Sequence, residues 1–177
     1  MNVLFKLTVY AVGAGMILAQ AQAFAHQPHA HVHGVAKLNI AVDGKTLTLA
    51  LESPLQSFLG FEHAPRNEQE KTAVVLLKKQ LSAPAQLFAL PSKAECRSTG
   101  TTLDSPVFND QPASDDSEHA DVDAEFLYEC RQPGQLTEVT IQLFKLFPNL
   151  HEINVQIVTD RGQKAAKLTV KQNRVAW

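Results

Sequence analysis

Residues 35–51 alternate between apolar and polar side chains so regularly that they specify a pair of strands. Ala36, Leu38, Ile40 and Val42 take every second position of the first run, and Leu47, Leu49 and Leu51 every second position of the next. A period of two puts such side chains on one face of an extended chain. Asp43-Gly44 lies between the runs and is the strongest short-range hairpin signal, because glycine takes the positive φ that tight turns demand. Pro54 closes the return strand, since proline cannot donate to a ladder.

The rest of the chain adds both kinds of element. Residues 53–65 read as irregular. Residues 68–81 read as an amphipathic helix, with Val74, Leu77 and Leu81 on one stripe and Glu70, Lys71 and Lys78 outside. Pro84 opens a second, short helical piece over 85–90 that Pro91 ends. Residues 94–102 and 125–130 are candidate strands. Val139, Ile141 and Leu143 alternate within 138–144, and Ile153, Val155 and Ile157 within 152–158. Asp160-Arg161-Gly162 reads as a turn into a last strand over 164–170. Strands at both ends with helices between predict a single α+β domain on a largely antiparallel sheet, with one longer and one short helix. Residues 104–123 hold seven of the 18 acidic residues, and no Lys or Arg occurs between Arg97 and Arg131. A segment so polar buries too little apolar surface to order itself and reads as a disordered acidic loop.

The first 25 residues have the layout of a secretion signal. Lys6 and the amino terminus supply positive charge, residues 7–18 an apolar stretch, and Ala23-Phe24-Ala25 a small-residue cleavage site. The competing reading is an uncleaved anchor, but the apolar run falls short of the roughly 20 residues a bilayer crossing needs. Cleavage would leave residues 26–177, an ordinary size for one domain, in a compartment outside the cytoplasm. Two cysteines, Cys96 and Cys130, lie in that part. An even count in an exported chain reads as a disulfide, and closing about 35 residues would contribute roughly 3–4 kcal/mol. Two soft metal ligands are the alternative, although neither cysteine sits in a C-x-x-C or beside a histidine. The formal charge of −2 and the lack of a basic stripe exclude a nucleic-acid binder.

Candidate chemistry centres on histidine. Of seven histidines, His26, His29, His31 and His33 crowd the start of the presumed mature chain. Imidazole is the commonest metal ligand, and in an extended chain His29, His31 and His33 would present their rings to one side. A solvated polar terminus is the plain alternative. The second candidate is Gly60-Phe61-Glu62-His63-Ala64-Pro65, where Glu62 would ligate a metal or orient His63. The third is Glu118-His119-Ala120-Asp121 in the acidic loop, suited to a weak divalent site or to gathering cations. His151-Glu152 opens a strand and has the simpler structural reading. No G-x-S-x-G, H-E-x-x-H or thiol–imidazole pairing occurs, so the chain reads as a binder and not an enzyme. A zinc hydrolase would need a general base and a cleft that the sequence does not display. A purely structural exported domain would retain no metal.

The motifs as a set resemble a known family. His33-Gly34-Val35-Ala36-x-Leu38, Asp43-Gly44, Leu51-Glu52-Ser53-Pro54 and Gly60-Phe61-Glu62-His63-Ala64-Pro65 are similar to the opening of the ZrgA-type zinc-uptake proteins of Gram-negative bacteria. The likeness continues through Leu87-Phe88-Ala89-Leu90-Pro91, Cys96, His119-Ala120-Asp121, Tyr128-x-Cys130, Leu143-Phe144, Phe147-Pro148 and Val155-Gln156-Ile157-Val158-Thr159. The resemblance implies a periplasmic protein that captures Zn²⁺ and assists a zinc import system of the cell envelope. It also implies that His31, His33 and His63 are metal ligands and that His119 matches the histidine before the second cysteine. Family members carry a His-rich stretch between the cysteines; here that segment is acidic and holds only His119, so a multi-ion reservoir is not expected. Copper handling is the alternative. A mature amino-terminal His26 would chelate through its amine and ring, and copper outcompetes zinc at nitrogen sites, but Pro28 blocks a chelate built through successive amides.

Overall fold

The computed structural model describes residues 32–108 and 120–177. The signal segment, His26, His29, His31 and His119 lie outside the described residues, as does the middle of the acidic segment.

The opening hairpin forms as expected. β1 (Val35–Asp43) pairs antiparallel with β2 (Thr46–Pro54), and Leu38, Ile40, Leu47, Leu49 and Leu51 are all buried. Asp43 is the last paired residue, so the turn itself is Gly44-Lys45, with Gly44 at φ 55°. Glycine at the first turn position is the II′ pattern, whose twist matches that of the strands. After β2 come α1 (Gln56–Leu59), α2 (Glu68–Leu81), α3 (Pro84–Leu87), β3 (Phe88–Ala89) and β4 (Cys96–Asp104). Then follow β5 (Asp121–Cys130), β6 (Glu138–Ile141), α4 (Leu143–Leu146), β7 (Glu152–Thr159), β8 (Gly162–Thr169) and β9 (Arg174–Ala176).

Six strands form one sheet in the order β4-β5-β2-β1-β7-β8, and β3-β6-β9 form a second. Every pairing is antiparallel except β1 with β7, which makes this a largely antiparallel α+β domain. One face of the large sheet supplies Leu38, Leu49, Phe126 and Val155 to a single buried cluster. Leu77 and Leu81 of α2, Ile141 of β6 and Val175 of β9 complete it. Phe88 meets Phe126 edge to face at 5.0 Å, which seats the small sheet on the large one. No helix among the described residues is long and apolar enough to cross a membrane.

α2 starts where local chemistry says it should. The Asn67 side chain accepts from the Glu70 N–H at 2.9 Å, and the Glu70 carboxylate accepts from the Arg66 N–H at 2.6 Å. These bonds satisfy donors that the first turn leaves without partners. Val74, Leu77 and Leu81 face inward.

Several elements differ from expectation. The irregular stretch over 53–65 contains α1, and the short helix over 85–90 gives way after Leu87 to β3, which pairs with β6. Two- to four-residue elements carry no periodicity of their own and are set by what they pack against. Both ends of the segment 104–123 belong to strands. β4 extends through Asp104, β5 begins at Asp121, and Asp104 pairs opposite Asp123. Val122 and Ala124 are buried while Asp123 and Glu125 face solvent, so the strand hides its alternation behind charge.

Tyr128 of β5 is buried, and its hydroxyl has no hydrogen-bond partner among the described residues. Burial pushes the phenol up to about 12, above the value near 10 that an unfolded chain would show. The folded-state value is the higher one, so the stability this group confers is intact below about pH 10 and declines as pH rises through 12. Tyr128→Phe should therefore leave stability at pH 8 unchanged or slightly higher, because an orphaned hydroxyl is removed, and should flatten the decline above pH 10. Urea unfolding at pH 8 and pH 11 measures both effects.

Candidate metal centre

Strand register gathers the sequence candidates at one end of the large sheet. Val35 lies opposite Glu152, Pro54 opposite Asp121, and Asp104 opposite Asp123. The start of β1, the end of β2, the start of β5 and the start of β7 therefore share that end. His33 immediately precedes β1, Glu62 and His63 follow β2, Ala120 precedes β5, and His151 precedes β7. Cys96 and Cys130 lie opposite each other at the other end and form a disulfide. That closes the reading of the cysteines as metal ligands, as neither is a free thiol.

At this end His33 Nε2 is 2.8 Å from Glu62 Oε1. Glu62 is largely enclosed, with 11% of its side chain exposed, whereas His33 is 55% exposed. The sequence offered Glu62 as a ligand or as an orienting partner of His63, and the fold turns its side chain to His33.

His63 has its own partners. Nδ1 lies 2.9 Å from the Ala64 carbonyl oxygen and 3.9 Å from Glu70 Oε2. The carbonyl must accept, which fixes the proton on Nδ1 and leaves Nε2 as the lone-pair nitrogen. Donation from the other ring nitrogen to a backbone carbonyl is the arrangement that metal-binding histidines commonly show. Phe61 stacks on the ring at 5.0 Å between centroids and limits its rotation. Glu70 was not a sequence candidate; the Asn67-x-x-Glu70 helix-start pattern marks it as a cap, and nothing in the sequence marks its nearness to His63.

The backbone ties these segments together. The Ala120 N–H donates to the Glu62 carbonyl at 3.1 Å, and its own carbonyl accepts from the Leu55 N–H at 2.8 Å. His119, which precedes Ala120, lies outside the described residues, as do His29 and His31. The Gly34 N–H donates to the buried Ser57 hydroxyl at 3.1 Å, while the Gly34 carbonyl accepts from both His151 and Glu152 N–H. Gly34 takes φ 78°, where a Cβ would stand 2.7 Å from the His151 ring and 2.9 Å from the Asn149 carbonyl. Gly60, at φ 81°, has the Asn149 side-chain nitrogen 3.4 Å from its would-be Cβ.

The charge at this end is negative. On the open face of the sheet Asp104, Asp123, Glu52 and Lys37 form one cross-strand row. Partial burial, with Glu52, Asp121 and Asp104 nearby, raises the Asp123 carboxyl above the usual range, and Lys37 opposes the shift. Carboxylates crowded in this way create a field that concentrates cations. Among the described residues no three His, Cys, Asp or Glu side chains converge closely enough to hold an ion. The described part of the centre is thus the His33–Glu62 pair, with His63 and His151 as single residues.

No curated protein matches the chain. Residues 30–177, all but the amino-terminal segment, match the family described as ZrgA family zinc uptake protein. With that match over most of its length, the chain belongs to the ZrgA family of zinc uptake proteins.

Proposed function

We propose that this protein is exported after removal of residues 1–25 and captures Zn²⁺ in the periplasm for an import system of the cell envelope. The observation that carries this reading is the His33–Glu62 contact at 2.8 Å, made between segments that the fold brings together. Zinc bonds of about 2.0 Å at tetrahedral angles require ligand atoms about 3.3 Å apart. The pair needs to open by only about half an ångström for zinc to sit between its atoms. His63 Nε2 is the next donor. His31 lies two residues before His33, and His119 is bonded to Ala120, which docks on the Glu62 backbone. His31 and His119 would add donors to the pair. His29 and the acidic residues would gather ions around it.

This is capture without chemistry on a substrate, and the family assignment gives the copper alternative no support. Competition titration with a chromophoric zinc chelator tests the site. His33→Ala with His63→Ala should lower zinc affinity by about a hundredfold or more, since outer-shell losses alone cost 10–100-fold. Affinity should also fall as pH is lowered from 7.5 to 5.5, because each zinc ion must displace protons from its ligands. Unchanged affinity in the double variant would remove these residues from the site.

A further inference from the structure

The large sheet buries one face and, among the described residues, leaves the other in solvent. Lys37, Asn39 and Ala41 of β1 are exposed between buried Ala36, Leu38 and Ile40, and Asn154, Gln156 and Val158 of β7 repeat the pattern. Strand register turns this open face into rows. One row reads Asp104, Asp123, Glu52, Lys37, Asn154 and Lys167 from β4 to β8. Its acids all lie on one side of the boundary between β2 and β1, and its lysines on the other. Lys37 pairs with Glu52 at 2.8 Å and Lys167 with Glu152 at 2.9 Å, whereas Asp104 and Asp123 have no ion pair among the described residues. Partial burial and the neighbouring carboxylates raise the Asp123 carboxyl, so the acidic half is short of positive charge. Further along the strands, Leu127 of β5 and Val158 of β7 stand at equal distances from the same boundary, with Thr48 and Ala41 between them. Val158 is a large apolar side chain left 48% exposed.

We propose that this face docks a second copy of the chain about a twofold axis running along the β2–β1 boundary. Rotation about that axis lays β4 over β8, β5 over β7 and β2 over β1 of the second copy. Asp104 then faces Lys167, Asp123 faces Asn154 and Glu52 faces Lys37, each contact occurring twice as a twofold interface requires. Leu127 meets Val158, and Ala41, Thr48 and Ala50 line the middle, short enough for two sheets to approach to about 10 Å. A twofold axis across the strands would instead lay the acidic half on itself, so charge selects the first arrangement. Six strands about 4.8 Å apart make a plate of roughly 24 by 20 Å, so two copies would bury about 1,000 Å², enough for a specific but reversible interface. The proposal is independent of the zinc-capture reading, although the axis would set both candidate metal centres at the same end of the dimer.

Sedimentation equilibrium of the purified protein, with EDTA present to exclude metal-bridged association, tests the arrangement. A monomer–dimer equilibrium is expected, with a Kd on the order of 10 µM that weakens at about 0.5 M NaCl. Asp104→Lys and Lys167→Glu should each raise the Kd about tenfold or more, because like charges then face across the axis. A chain carrying both substitutions restores opposite charges and should return to within about threefold of the parent. Val158→Asp, which sets a carboxylate against Leu127, should abolish association. All of these side chains are exposed, and unchanged melting temperatures verify that each variant folds. A protein that stays monomeric at about 300 µM, well above that Kd, overturns the proposal, as does a dimer indifferent to the single substitutions. If the single reversals weaken the dimer and the double swap does not restore it, β4 does not face β8 and the proposal falls.

Discussion

Gly34→Ala is expected to destabilise the fold by roughly 2–4 kcal/mol, and to weaken zinc binding in whatever fraction stays folded. The left-handed φ of 78° costs a residue with a Cβ about 1–3 kcal/mol. The added methyl would also stand 2.9 Å from the Asn149 carbonyl and 2.7 Å from the His151 ring. The ring can swing aside, but the carbonyl belongs to the backbone and can move only with its loop. Relief would draw Gly34 away from the Ser57 hydroxyl and from the two N–H groups that its carbonyl receives. His33 would leave Glu62 at the same time. Gly44→Ala is the control, because Gly44 has φ 55° but nothing within 4 Å of the added methyl. It should show only the conformational part of the cost, about 1 kcal/mol. Urea unfolding of both variants separates strain from collision, and equal losses would mean that the contacts around Gly34 do not matter.

Removing the disulfide should have a comparable effect on stability and none on zinc. Cys96 and Cys130 are 34 residues apart, and releasing a loop of that length costs about 4 kcal/mol on the chain-entropy estimate. For a domain of this size the melting temperature of Cys96→Ala/Cys130→Ala should drop by roughly 8–16 °C. The bridge joins β4 and β5 at the end of the sheet opposite the candidate centre. Zinc affinity of the double variant, measured well below its melting point, should therefore match that of the parent. A parallel loss of zinc affinity would mean that the sulfurs communicate with the metal site.

Legibility in the sequence followed the length of each element. The opening hairpin and α2 were readable because seven or more residues repeat one periodicity, which only burial of a continuous face produces. β3, β9, α1 and α4 were not, since elements of two to four residues have no period to display. The amino-terminal part of β5 was concealed by Asp121, Asp123 and Glu125, whose charges on the open face outweighed the buried Val122 and Ala124 between them. The sequence also identified His33, Glu62 and His63 as candidates. Glu62 adjoins His63 along the chain and contacts His33 across the fold.

The sequence by itself determined the α+β class, the hairpin that starts the domain, the cysteine pair and the family. These follow from local periodicity, composition and short motifs, each of which is complete within a few tens of residues. Only the tertiary structure decided which candidates meet. The parallel pairing of β1 with β7 sets Val35 opposite Glu152, and so puts His151 over Gly34, although more than a hundred residues separate them. Nothing in the alternation of either strand records its partner, because burying one apolar face satisfies the same pattern whichever neighbour supplies the hydrogen bonds. The end of the sheet at which the histidines gather is a property of register, and register exists only once the strands have paired.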